Sequence, residues 1–469
     1  MLLWTLVPAF VHRAPPLDVV ELYITGREWV LLTYKHPQLP AWCLEVARQL
    51  TGALGWPAYL VSQLFVAATF VLVYLLGCDL LGRRRAAAGT LLLTGVYYFS
   101  FPTPEFNHNV AQMPIWAAIA FFLWRAVDRG KVGWWLALAI VAAAGLYTKF
   151  SVAMLFAAAG AWVLVDAHAR NCLARRAPWV AFVVFALLVT PLVQALVGMD
   201  YLPLEYASIR SASQSPNAPR FLLAQLADHA GLFAMLAVAF LWRRPAAADD
   251  DDRIDPAPGA LRFLLIMTFG PLALATLVAA ISGAKDMWGA PMFSLSGLIA
   301  MALVPRLTHA SLKRIAVFAA LFVVGVPAVY AVVVAMKDSR NEPTRVAWPQ
   351  AEIAARFTRI WREETGAPLK IVAGEPWTAG LVGTLSPDEP SIYISLNRAY
   401  SPWITDERLR REGMLVLWWD KWPIDLGALR ERLPELTGGS ESFVWSSRPG
   451  APPVTVNYAV VPPADDSDG

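Results

Sequence analysis

Residues 56–85 read WPAYLVSQLFVAATFVLVYLLGCDLLGRRR. From Trp56 to Leu81 the stretch carries a single charge, Asp79, and then runs into Arg83, Arg84 and Arg85. A helix needs about 20 mostly apolar residues to cross a bilayer, and a basic cluster at its end marks the cytoplasmic side. Comparable apolar runs lie at 86–103, 110–127, 132–147, 150–167, 178–198, 220–242, 261–282, 289–305 and 313–335. The run from Leu2 to Val11 is too short to span. It lacks the basic n-region and small-residue cleavage site of a signal peptide, and reads as the remainder of a truncated first helix. The expected fold class is a polytopic α-helical membrane protein of about 11 transmembrane helices.

Composition agrees with that reading. The chain has 469 residues, 57% of them hydrophobic and only 16% charged, where a soluble globular chain carries roughly 25% charged residues. A soluble multidomain enzyme, a disordered chain and a disulfide framework are all excluded. The net charge of +3 does not indicate nucleic acid, because basic residues in such a chain report orientation first. Cys43, Cys78 and Cys172 lack metal-type spacing and read as free thiols.

Orientation follows from the short loops. Sixteen Lys and Arg residues, among them Arg83–Arg85, Arg125, Arg129, Arg175, Arg243, Arg244, Arg253, Arg306 and Arg314, fall on one side. Lys149, Arg210, Arg220 and Lys285 fall on the other. The first side is therefore expected to be cytoplasmic. Segment 12–55, the turn at Lys149, loops 199–219 and 283–288, and the tail 336–469 are then external. The expected division is a membrane domain over 1–335 and an external soluble α/β domain over 336–469. Within 12–55, Leu39, Trp42, Cys43, Val46 and Leu50 share one helical face, which suits a helix lying on a membrane surface. The run Asp249–Asp252 reads as a solvated cytoplasmic loop. In the tail, helices are expected at Trp348–Thr365, Asp406–Arg411 and Leu426–Leu433. Strands are expected at Leu369–Ala373, Ser391–Ile394, Met414–Trp419, Ser442–Trp445 and Val454–Val461, an alternation that argues a small α/β sheet.

The polar residues of the external side are the candidate chemistry. Asp18 and Glu21 are three apart and share a helix face. They read either as solvated acids, with Asp18 as an N-cap after Pro15-Pro16, or as a carboxylate pair for proton transfer. Lys149 sits at a helix junction where a charge is expensive, unless it snorkels. Neither a Gly-rich phosphate loop nor a nucleotide-binding βαβ unit is present, so an activated sugar would have to arrive on a lipid.

Several motifs on this one side belong together. An acid follows the first membrane helix, then Lys35-His36-Pro37 and a surface helix with Trp42. Asn107-His108-Asn109 precedes Met113-Pro114 and Trp116. Leu146-Tyr147-Thr148-Lys149-Phe150 and Lys285-Asp286-Met287-Trp288-Gly289-Ala290-Pro291 complete the set. Together with the external tail they resemble bacterial polyprenyl-phosphate-sugar glycosyltransferases of the C superfamily, of the aminoarabinose-transferase (ArnT-like) and protein-mannosyltransferase-like type.

The resemblance implies transfer of a sugar from a polyprenyl (undecaprenyl) phosphate to a lipid, glycan or protein acceptor. The enzyme would sit in the bacterial inner (plasma) membrane with its C-terminal domain periplasmic. Asp18 would be the general base with Glu21 beside it. Lys149, Lys35, His36 and Lys285 would meet the donor phosphate. Tyr34, Asn107, His108, Asn109, Asp286 and Trp288 would serve the acceptor or sugar. One base without a carboxylate nucleophile implies inversion, by analogy with glycoside chemistry. Many relatives carry an acid before the first-loop proline where this chain has Lys35-His36, which leaves a divalent metal as an open possibility and no other cofactor. Membrane lipid is an expected partner and nucleic acid is not. A transporter, or a non-catalytic membrane scaffold with an external binding domain, stays as the alternative, although transporters gather their charges near the bilayer midplane.

Overall fold

In a computed structural model of the chain, the described residues are 1–241, 256–338, 344–421, 427, 437–445 and 450–464. They form two compact units, each interrupted in sequence. The first comprises Met1–Thr5, Lys35–Leu39 and Tyr59–Tyr330, and the second Leu6–Tyr34, Pro40–Ala58 and Ala331–Gly469. Most of the first 58 residues therefore fold with the tail.

The class is the expected one: a mostly helical chain with several apolar helices and a small sheet domain at the C-terminus. Among the described residues, five helices are long and apolar enough to cross a membrane: Trp56–Leu81, His108–Arg129, Arg176–Gly198, Ala260–Ile281 and His309–Asp338. A sixth span results if Ala218–Asp228 and Ala230–Leu241, bent by 45°, count as one. Leu2–Val11, Val132–Thr148 and Phe150–Val165 are shorter apolar helices. By length and composition alone, five or six of the expected runs pass as single spanning helices among the described residues.

Two of the other runs are divided. Run 86–103 forms a helix only as far as Leu92, then two 3-10 turns, Leu93–Gly95 and Tyr97–Phe99. Run 289–305 is divided between the 3-10 segment Asp286–Phe293 and a short helix, Ser296–Leu303. The two short helices pack backbone to backbone. A Cβ on Gly297 would lie 2.0 Å from the Gly89 carbonyl oxygen, a small-residue contact of the kind that holds membrane helices together. Buried Arg85 closes the pair by donating to the carbonyls of Met301 and Val304, both at 2.6 Å, and of Pro305 at 3.1 Å. Close packing breaks these two apolar runs into shorter helical pieces.

His108–Arg129 is the most enclosed of the long helices, with 83% of its apolar window buried. Asn107 caps it, accepting from the amides of Asn109 at 2.9 Å and Val110 at 3.2 Å. Gly130 ends it in the left-handed conformation. Asp79, the lone charge of the opening stretch, pairs with Arg125 at 2.6 Å and Arg129 at 3.3 Å.

In the second unit, β1 (Ile371–Gly374), β2 (Ser391–Ile394), β3 (Met414–Trp419), β4 (Thr437–Phe443) and β5 (Val454–Val461) form one sheet in the order β2-β1-β3-β5-β4. β2, β1 and β3 run parallel; β5 is antiparallel to both β3 and β4. The expected strands are found, although β4 starts five residues before Ser442. Gln350–Thr365 lays Ile353, Phe357, Ile360 and Trp361 into the interior. The expected Leu426–Leu433 helix apart from Gly427, the Asp249–Asp252 run, Arg243, Arg244 and Arg253 lie outside the described residues.

The segment before residue 58 forms Leu17–Gly26 and Leu39–Thr51. The second helix buries Ala41, Leu44 and Glu45 and leaves Val46 and Leu50 exposed, with Trp42 and Cys43 half-buried. An apolar outward face is what a membrane-surface helix requires.

Candidate functional site

The first unit gathers most of the expected cationic and polar residues. Lys149 terminates the Val132–Thr148 helix in extended backbone, and the 3-10 turn Phe150–Val152 follows at once. A lysine in so tight a junction has little freedom of placement. Its Nζ donates to Oδ1 of Asn109 at 2.6 Å, in the first turn of His108–Arg129. The ring of His108 lies 4.4 Å from that of His36, centroid to centroid. Its Nε2 is 3.1 Å from the carbonyl oxygen of Pro37; a carbonyl only accepts, so Nε2 carries the proton. Lys35 lies 5.8 Å from the Tyr206 ring centroid. Lys35, His36, Asn107, His108, Asn109 and Lys149 are thus associated by short-range contacts within this unit.

The electrostatics are one-sided. Burial holds the His36 imidazole well below its ordinary range, and the positive charges of Lys149 and Lys35 add to that effect. Such a field favours an anion. The sequence reading missed Gln112 and Ser151 here. Gln112 Oε1 accepts from Trp116 Nε1 and from Ser151 Oγ, each at 3.0 Å. The available signal was a Gln one helical turn past His108, in an otherwise apolar run.

Lys285, Asp286 and Trp288 enter through a different group. Lys285 precedes the 3-10 segment Asp286–Phe293, which packs against His108–Arg129. The Asp286 carbonyl accepts from Tyr98 Oη at 2.5 Å and Gln225 Nε2 at 3.0 Å. Its carboxylate is 3.9 Å from exposed Arg220, a pair too open to hold much energy. Trp288 is partly buried.

Asp18, Glu21 and Tyr34 belong to the second unit. Asp18 is not the N-cap: Pro16 holds that position and Asp18 stands in the first turn of Leu17–Gly26. Asp18 and Glu21 are half-buried on a helix whose Val19, Val20 and Leu22–Gly26 are buried. Tyr34 stacks on Tyr400, with centroids 3.9 Å apart and planes 11° from parallel.

Glu375 is the carboxylate the sequence did not indicate. It follows β1 directly and accepts from the amides of Trp377 and Thr378, both at 2.6 Å. Burial pushes its carboxyl up to about 7, against those hydrogen bonds and the charge of Arg345, while the charge of Glu21 pushes the same way as burial. Perturbation of this kind is common at functional carboxylates. Among the described residues, no group of three or more His, Cys, Asp and Glu could hold a metal ion, so a divalent cation has no ready-made cage of that kind there.

Residues 35–194 match the family model for dolichyl-phosphate-mannose-protein mannosyltransferase, a range that includes Lys35, His36, Asn107–Asn109 and Lys149. No curated protein sequence matches the chain. Among solved structures, the chain is similar to ArnT from Cupriavidus metallidurans in the apo state, with a TM-score of 0.64 at 15% identity, covering 98% of this chain and 96% of that one. The same ArnT bound to undecaprenyl phosphate matches with a TM-score of 0.60 at 15% identity, covering 97% and 96%. At such identity the shared property is the fold, and it agrees with the resemblance carried by the motifs.

Proposed function

We propose that this chain, ArnT-like in fold and protein-mannosyltransferase-like over residues 35–194, is an integral-membrane glycosyltransferase that takes its sugar from a polyprenyl phosphate. The observation that carries this reading is the convergence of the Lys35 and Lys149 charges on His36. The leaving group of such a transfer is a lipid monophosphate that gains negative charge as the glycosidic bond breaks. Fixed positive charges stabilise that development without reorganising. The undecaprenyl phosphate held by the structurally similar ArnT supports that lipid as the donor carrier.

Asp18 is the proposed general base and Glu21 its neighbour. The acceptor hydroxyl loses its proton to Asp18 while its oxygen forms a bond to the anomeric carbon. The bond from that carbon to phosphate oxygen breaks, with inversion, and the polyprenyl phosphate leaves into the field of Lys149 and Lys35, with His36 as a neutral hydrogen-bond partner. Lys285 is proposed to meet the donor phosphate as well. Tyr34, Asn107, His108, Asn109, Asp286 and Trp288 are proposed to contact the sugar or the acceptor, which is a lipid, a glycan or a protein. The basic bias of the loops supports an external, periplasmic face for the reaction and for the C-terminal domain.

Deletion of the gene and mass spectrometry of the envelope glycolipids and glycans test the reading. One sugar-bearing species should disappear, return with the parent chain, and stay absent with Asp18→Asn. An unchanged profile after deletion would overturn it.

A further inference from the structure

The Leu17–Gly26 helix, which carries Asp18 and Glu21, packs against the Thr378–Leu385 helix of the sheet domain. Two features hold them together. At Gly380 a Cβ would lie 2.6 Å from Val20 Cγ1 and 3.6 Å from Ile24 Cγ2, so only glycine lets the helices approach this closely. Arg27, just past the end of Leu17–Gly26, donates from Nη1 to the Gly383 carbonyl and from Nη2 to the Thr384 carbonyl at 3.1 Å. Those are last-turn carbonyls that a helix cannot satisfy internally, and a cation there also suits the helix dipole. Glu375 holds the opposite end of Thr378–Leu385 through the amides of Trp377 and Thr378. The seat is therefore capped at both ends, at one of them by the arginine of the helix it supports.

The geometry points to Thr378–Leu385 as the seat that sets where Asp18 and Glu21 stand, with Gly380 and Arg27 as positioning residues for the transfer. Val20 lies two residues from Asp18, on a different face of the helix, while Ile24 stands one turn past Glu21, so the seat acts on the carboxylates through the helix body. The inference rests on the proposed role of Asp18. Displacements on the order of 1 Å at a catalytic group can cost about 10²-fold in rate, and a methyl group at position 380, 2.6 Å from Val20 Cγ1, makes the valine or its helix move.

The test uses the full chain expressed in the deletion strain. Readouts are the envelope product by mass spectrometry, undecaprenyl phosphate binding to purified protein in nanodiscs, and amide exchange over Val19–Ile24. Gly380→Ala should lower product about 10-fold or more and Gly380→Val further, towards the 10²-fold scale of misplacement, with undecaprenyl phosphate binding unchanged. Val20→Ala combined with Gly380→Ala should restore product, since it removes the atom the new methyl meets. Arg27→Met should lower product and raise exchange over Val19–Ile24, with Arg27→Lys recovering part. Parental product from Gly380→Val, or no rescue by Val20→Ala, would overturn the seat. So would loss of undecaprenyl phosphate binding alongside product, which marks general unfolding. Retained product in Asp18→Asn removes the base assignment instead, and the exchange measurement still decides the seat.

Discussion

The ammonium of Lys149 stands 2.6 Å from Oδ1 of Asn109, joining the C-terminal end of one apolar helix to the first turn of another. An exposed lysine would lose rotamer freedom on meeting a phosphate; this one is already held. Lys149→Met keeps the apolar stem and removes the charge. Turnover is expected to fall about 10²–10³-fold, and affinity for undecaprenyl phosphate with it. Lys149→Arg should recover only part, because the guanidinium is wider and planar. Unchanged turnover and affinity for Lys149→Met would take this residue out of the site and leave Lys35 and His36.

Asp18→Asn preserves shape and removes the proton acceptor. A lost general base costs typically ~10²–10⁴ in rate, so transfer should collapse while expression and undecaprenyl phosphate binding persist. Glu21→Gln should be milder. Activity within a few-fold of the parent for Asp18→Asn rejects the assignment, and the reverse order of severity exchanges the two roles.

Glu375 gives a pH signature. Its carboxyl is raised from the ordinary 4.5 to about 7 by burial, so the folded chain holds this proton more tightly than the unfolded chain does. The resulting stabilisation is fully present below the unfolded value and is lost as pH rises through about 7. It amounts to roughly 3 kcal/mol at most. Glu375→Gln removes the titration. Plotted as parent minus variant, the unfolding midpoint of the full chain in detergent should decline across that window and level off above it. A flat difference would show that Glu375 does not titrate there.

The charge asymmetry of the loops predicts topology. A reporter active only in the cytoplasm, fused after Gly469, should be silent. A strong signal there would reverse the membrane orientation and the assignment of Lys149, Lys285 and segment 12–55 to the external side.

Much of the candidate site was legible because charge is rare here. In an apolar chain, Lys149 between two hydrophobic runs and His108 between two asparagines stand out before any contact is known. The association of Lys149 with Asn109, and of His36 with His108, was not legible, since spacing fixes neighbours only within a helix. Gln112 and Ser151 were passed over because single polar residues in apolar helices usually bond locally. Glu375 left no trace: its raised carboxyl comes from burial behind β1 and from the charge of Glu21, residues far apart in sequence.

Hydropathy and charge order determined by themselves that the chain is a polytopic helical protein with a separate α/β tail. Those properties are sums over local windows, set by the cost of placing polar groups in hydrocarbon. Tertiary structure alone decided that the 86–103 and 289–305 runs break into short helices, because the Gly89–Gly297 contact that closes them is a long-range packing event. It also decided that the Asp18 helix folds with the tail, through Val20 against Gly380 and Arg27 against Gly383 and Thr384. A glycine and an arginine have no periodicity to announce a partner more than 350 residues away in sequence; only the packed backbone brings the two helices within hydrogen-bonding distance.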